Sequence, residues 1–151
     1  MSQRYHGGEL RKGRISQPGG VYLITTVTGQ REPLFTDLFL GRIVVTTLKN
    51  ESSRATTLAY VLMPDHLHWL ARLEAAIPLG TVMQAVKSVS SHRINRCLGR
   101  KGSIWQARYH DRAVRREEDI RVLARYVIAN PLRAGLVNAI GNYPLWDAIW
   151  L

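Results

Sequence analysis

The stretch YVLMPDHLHWL, Tyr60 to Leu70, decides how the chain folds and raises its chemical question. Thr57 to Met63 is apolar on both faces, as in a central strand. Pro64-Asp65 supplies turn chemistry. His66 to Leu73 (HLHWLARL) then reads as the returning strand. Alternate residues of a strand share a face. Leu67, Trp69, Ala71 and Leu73 therefore form one apolar face. His66, His68 and Arg72 share the other, with Leu70 among them. Two imidazoles side by side on the more polar face can bind one cation. His-x-His also arises by chance in packed sheets.

Working outward, Val21 to Thr28 (VYLITTVT) is β-branched and aromatic, which predicts a strand. Asp37 is placed to cap a helix through LFLGRIVVTTLKN, although Gly41 and the threonines weaken that helix. Leu79 to Leu98 carries Leu79, Val82, Met83, Val86, Val89, Ile94 and Cys97 at helical spacing, with Gly99 as C-cap. Cys97 is expected to be a buried structural thiol. Ile104 to Val114 reads as a strand. Arg116 to Asn130 reads as a second helix, with Glu117, Glu118 and Asp119 in its first turn and Asn130-Pro131 at its end. The order β-α-β-β-α-β-α predicts a single α+β domain over 21–151. Its antiparallel sheet with packed helices is ferredoxin-like or RRM-like. Residues 1–20 read as a basic, glycine-rich flexible arm.

The 151 residues carry 21 Lys+Arg against 11 Asp+Glu, a formal charge of +10. Arg far outnumbers Lys, and guanidinium forks suit phosphate and guanine edges, so nucleic acid is the expected partner. A solvated basic surface is the plainer alternative. One cysteine excludes an internal disulfide and a multi-cysteine zinc site. No apolar run reaches membrane length, and the N-terminus lacks a signal peptide's apolar stretch. A cytoplasmic, nucleoid-associated protein is expected, with no membrane partner.

Two histidines need a third ligand. A zinc hydrolase of the HxHxDH type needs Asp and His where this chain has Leu70 and Ala71, and a histidine-triad hydrolase needs His at position 70. On the last helix, Tyr126 and Asn130 lie one turn apart beside the stripe Ile120, Leu123, Ala124, Val127 and Ile128. Asn130 can offer a carbonyl oxygen to a metal, and Tyr126 a phenol to a phosphate. Helix geometry alone favours a Tyr126 packed at the core margin and an Asn130 that merely caps.

MPDHLHWL resembles the His-hydrophobic-His motif of the single-tyrosine HUH transposases. IWQARYHDRAVRREEDIRVLARYVIANPLRAGLV resembles the C-terminal half of the REP-associated tyrosine transposases, and YVIANPLRAGLV is its most specific part. GGVYLITTVTGQREPLF and LGTVMQAVKSVSSHRINRCLG are similar more loosely. The resemblance spans roughly residues 18–146. It implies a HUH transposase fold with Tyr126 as nucleophile, and Mg²⁺ or Mn²⁺ held by His66, His68 and Asn130. It implies single-stranded or hairpin DNA with REP-like palindromes as substrate, a 5′-phosphotyrosine intermediate, and action as a monomer. No general base for Tyr126 is evident. Candidate DNA contacts are Arg4, Arg11, Lys12 and Arg14 in the arm, and Lys87, Ser91 and Asn95 on one polar helix stripe. Arg108, Arg112, Arg115 and Arg133 complete them. Trp105 and Tyr109 can stack bases, although packing is the stronger expectation for Trp105. A domesticated, non-catalytic hairpin-binding protein and a histidine-metal hydrolase of small molecules are the competing functions.

Overall fold

The computed structural model describes residues 19–74 and 76–149. The basic arm, with Arg4, Arg11, Lys12 and Arg14, lies outside them. Strand β1 (Val21–Val27) leads through two 3-10 turns to helix α1 (Leu38–Asn50). The hairpin β2 (Ala55–Met63) and β3 (His66–Leu73) follows, then helix α2 (Leu79–Leu98) and strand β4 (His110–Val114). Helix α3 (Glu117–Ile128), a one-turn helix α4 (Asn130–Arg133) and strand β5 (Trp146–Ala148) complete the described chain. The sheet order is β4-β1-β3-β2-β5, and every pairing is antiparallel. This is the expected α+β, ferredoxin-like sheet, extended by β5 on the β2 edge. Among the described residues no helix is long and apolar enough to cross a membrane.

Strand alternation divides the domain into two cores. Leu67, Trp69, Ala71 and Leu73 face α1 and α2, where they meet Leu40, Val44, Val82, Met83 and Val86. Trp69 is fully buried there, and its indole N–H donates to Thr57 Oγ1 at 2.8 Å. Leu70, Ala59 and Val21 face the other way and pack under Ile120 and Ala124 of α3. Val127, one turn further along α3, packs on Val61 and Met63. Those two residues are the register partners of His68 and His66. The C-terminal end of α3 therefore lies over the histidine end of the sheet.

The caps follow the sequence. Asp37 Oδ1 accepts from the N–H groups of Phe39 and Leu40 at 2.9 and 3.3 Å, which starts α1. Gly99 sits at φ +68 and closes α2, its N–H bonded to the Asn95 carbonyl. Gly41, which weakens α1 as an isolated helix, has a tertiary reason. A Cβ there would stand 2.6 Å from Leu145 Cδ1, so glycine lets the segment before β5 close over α1. Overpacking costs about 1–3 kcal/mol, and alanine returns about 1 kcal/mol of helix propensity. Gly41→Ala is therefore expected to lower stability by about 1 kcal/mol in urea titration. An unchanged midpoint would show that Leu145 turns aside without cost.

Several expectations are corrected. The strand expected over Ile104–Val114 is only His110–Val114, because the apolar Ile104 and Trp105 anchor a loop instead. Trp105 packs, as expected: it is buried, lies 5.5 Å from Phe35 and donates to Ser90 Oγ at 2.9 Å. Cys97 is exposed, not buried, because the last turn of α2 overhangs the core, with Leu98 exposed beside it. The helix expected to reach Asn130 ends at Ile128. Asn130 opens α4, with Pro131 in the first turn, where a missing N–H costs nothing.

Candidate active site

The site begins with the orientation of the two imidazoles. Their ring centroids are 4.8 Å apart and nearly perpendicular. His66 Nδ1 lies 2.7 Å from Asp65 Oδ1. A carboxylate only accepts, so Nδ1 carries a proton and Nε2 is the nitrogen left to face a metal. Burial works to raise the pKa of Asp65. The hydrogen bond and charge of His66, together with Arg31 at 3.1 Å, outweigh it and hold the carboxyl below its ordinary value. The Asp65 turn is itself fixed, since the Thr28 N–H and hydroxyl both donate to its carbonyl, at 2.9 and 3.1 Å.

His68 is held from the neighbouring strand. Its Nδ1 lies 2.9 Å from Thr25 Oγ1, and Thr25 is its register partner on β1. Burial, the neighbouring His66 and Arg133 push its pKa down to about 4, so the ring is neutral at physiological pH. The Thr25 hydroxyl can accept from Nδ1–H, and in that tautomer Nε2 is left as an acceptor. Each imidazole thus has one nitrogen occupied and one available, the arrangement that fixes histidines as metal ligands.

Tyr126 is 53% exposed, so it does not pack at the core margin. The Arg133 guanidinium lies over its ring, 3.9 Å from the centroid. The Arg133 charge also acts on His68, which brings the tyrosine's stacking partner near the histidine pair. Asn130 is half-buried and lies on the same short turn. Its side chain has no hydrogen bond to the described residues, and its backbone carbonyl accepts from Ala134. Gly135, at φ +75, turns the chain away immediately after α4.

His66, His68 and Asn130 supply two imidazole nitrogens and one amide oxygen, a neutral set that fits a divalent cation. Among the described residues no group of three or more His, Cys, Asp or Glu side chains could hold a metal, so no carboxylate-rich centre competes with this one. The predicted DNA contacts fall into distinct places. Arg133 is in the site. Arg112 is exposed on the edge strand β4, on the histidine face, two strands from β3. Arg108 and Arg115 are exposed at the two ends of that strand. Lys87, Ser91 and Asn95 point elsewhere. They bond Gln106 O, the Ile104 N–H and Gly102 O at 2.7, 3.0 and 2.6 Å, and so pin the 100–107 loop to α2.

Residue type and spacing do not single out Thr25 or Asp65. Asp65 adjoins His66, and its place in PDHLH is the signal that could find it. Thr25 needs the β1–β3 register. His110 also escapes the sequence pattern. It opposes Thr25 from β4, in the same cross-strand row as His68.

The family model for IS200-like transposases matches residues 19–130, most of the chain and all of this constellation as far as Asn130. The chain belongs to the IS200-like transposase family. A Haemophilus influenzae protein that bears the name REP-associated tyrosine transposase is 24% identical over 137 residues, 83% of this chain and 78% of that protein. The Escherichia coli REP-associated tyrosine transposase is 29% identical over 87 residues, 57% of this chain and 50% of that one. A solved REP-associated tyrosine transposase, bound to a REP hairpin, superposes with a TM-score of 0.71 at 23% identity. The match covers 97% of this chain and 82% of that one. The IS200-like transposase fold is therefore present across both cores.

Proposed function

We propose that this protein is a metal-dependent DNA strand-transferase that cleaves a single strand beside a hairpin through a 5′-phosphotyrosine at Tyr126. One observation carries the reading. An exposed tyrosine, stacked by Arg133, lies on the helix whose C-terminal end covers the two oriented imidazoles, and Asn130 follows it one turn later. The hairpin-bound solved relative supports hairpin DNA of REP type as the substrate class. Because Tyr126, Arg133 and His68 meet within one chain, the proposed working unit is the monomer.

His66 Nε2, His68 Nε2 and Asn130 Oδ1 would hold Mg²⁺ or Mn²⁺, which supplies Lewis-acid polarisation of the scissile phosphate and charge for the departing 3′-oxygen. The chain's own groups do the rest. Asp65 and Thr25 hold the Nδ1 side of each imidazole, which leaves the two Nε2 atoms for the metal. Arg133 fixes the Tyr126 ring, and its remaining N–H groups can donate to a phosphate oxygen. Tyr126 Oη gives up its proton to solvent and attacks phosphorus, the Oη–P bond forms and the P–O3′ bond breaks, and the 3′-oxygen takes one proton back from solvent and leaves as a hydroxyl. The phosphotyrosine retains the phosphodiester's energy. A second 3′-hydroxyl can reverse the step and join strands without ATP.

The test is a denaturing gel of the protein with Mn²⁺ and end-labelled single-stranded hairpin DNA. A protein-linked band on the 3′-side fragment is expected, with a free 3′-hydroxyl on the other. Tight binding on a native gel with no covalent band under any divalent metal would replace this reading with a non-catalytic hairpin-binding protein.

A further inference from the structure

A cavity of about 820 Å³ lies along α2, between that helix and the Arg100–Tyr109 loop. It is on the side of the sheet away from His66 and His68, since α2 packs on the Trp69 face. No aspartate or glutamate lines it. Its basic residues divide into two kinds. Lys87 and Arg100 build the walls. Lys87 bonds the Gln106 and Ala107 carbonyls and sits over the Tyr109 ring at 5.8 Å, and Arg100 pairs with Glu32 at both forks. His92, Arg96 and Lys101 stand exposed on the rim, and no hydrogen bond or ion pair to the described residues engages them. The walls are pre-formed, because Asn95 and Ser91 tie the loop to α2.

We infer that this groove is a second DNA-contact site, which seats the single-stranded flank of the substrate between Arg96, Lys101 and the Tyr109 ring. The inference rests on the DNA-binding reading above and adds a place to it. An acid-free rim of uncommitted cations suits a polyanion. A concave floor with Ala107 and the half-buried Tyr109 side chain suits bases, which stack on aromatic and apolar surface. A convex duplex cannot enter it. The groove is also within reach. Tyr109 directly precedes His110, and His110 stands two strand spacings from His68, about 10 Å. A strand leaving the histidine pair over the β4 edge passes the exposed Arg108 and Arg112 and arrives at the groove.

The test compares the full chain with an Arg96→Gln/Lys101→Gln double variant and with Gln84→Trp, which fills the groove without removing charge. Probes are a hairpin with a single-stranded flank and the same hairpin blunt, read by fluorescence anisotropy across a salt series. All rim positions are exposed, so melting temperatures serve as the folding control. The double variant is expected to lose about 10-fold in affinity for the flanked hairpin, and two lost strand phosphates flatten its salt slope by about 1.4. Gln84→Trp is expected to weaken the flanked hairpin as well, at unchanged slope. Both variants are expected to bind the blunt hairpin as the parent does. Equal losses on the blunt hairpin, or no loss on either probe, would overturn the groove. So would a loss in the charge variant that Gln84→Trp does not share, because diffuse surface charge then suffices. Parent protein that binds neither probe would defeat the DNA-binding reading itself, and the groove with it, in the parent measurement alone.

Discussion

Tyr126→Phe is expected to abolish the covalent protein–DNA band and to lower strand cleavage by roughly 10⁴-fold or more, the scale seen when a nucleophile is removed. Hairpin binding is expected to stay within about 2-fold, since the phenylalanine ring keeps the stack with Arg133 and only the hydroxyl is lost. The other described tyrosines are poorer candidates. Tyr22 is buried. Tyr60 and Tyr143 are held in the fold, and burial pushes both hydroxyls up to about 12, which makes them poorer nucleophiles at neutral pH. Tyr143 also donates its hydroxyl to Leu62 O at 2.6 Å. Tyr109 is half-buried on the α2 side. Tyr126 alone among them is exposed, and it alone adjoins the histidine pair through Arg133. Parallel denaturing and native gels of parent and variant decide the matter. A covalent band that survives in Tyr126→Phe would remove the assignment and move the search to Tyr5, outside the described residues.

What the sequence displays and what it hides follow one physical line. The hairpin β2–β3 and helices α2 and α3 carry their signals locally, in alternation, in a 3.6-residue stripe and in caps. Alternation alone thus puts His66 and His68 on one face, and helical spacing alone puts Tyr126 and Asn130 one turn apart. The loop from Gly99 to Tyr109 carries the same apolar signal as a strand, but it makes only a single bridge, Trp105 to Thr28, and is tied to Ser90, Ser91 and Asn95 of α2. Only tertiary contact shows that. Gly41 reads as a poor helix residue until Leu145 is seen against it. The same limit applies at the site. The ligand candidates are legible because each is a residue type. The groups that orient them are not, because Thr25 meets His68 through strand register and Arg133 meets Tyr126 through the turn at α4. Lys87, Ser91 and Asn95 share a polar helix stripe that the sequence displays, and their bonds to the 100–107 loop are what it hides.

His68→Ala is the second large prediction. Removing Nε2 takes away one of three proposed metal donors. The two that remain, His66 Nε2 and Asn130 Oδ1, come from different elements and make a poor site by themselves. Lewis-acid help worth about 4 kcal/mol corresponds to about 10³ in rate, and cleavage at millimolar Mn²⁺ is expected to fall by about that factor. Binding to hairpin DNA is expected to stay within about 3-fold, because the basic surface is untouched. The fold is expected to survive, since the alanine leaves Thr25 half-exposed with water as a partner and removes a half-buried, neutral ring from the rim of the Val61–Met63 core. His66→Ala makes the informative contrast. It leaves Asp65 paired with Arg31 at 3.1 Å, so the turn keeps one of its two anchors while the metal donor is lost. If the pair holds a metal, both variants lose Mn²⁺ binding, read by paramagnetic resonance in the absence of DNA, and both lose cleavage together. If His68→Ala kept the parent's Mn²⁺ affinity and rate, the two imidazoles would be sheet residues with satisfied hydrogen bonds, and Tyr126 would need another source of positive charge. Arg133 would then be the first residue to change, because it already touches the tyrosine ring and acts on His68.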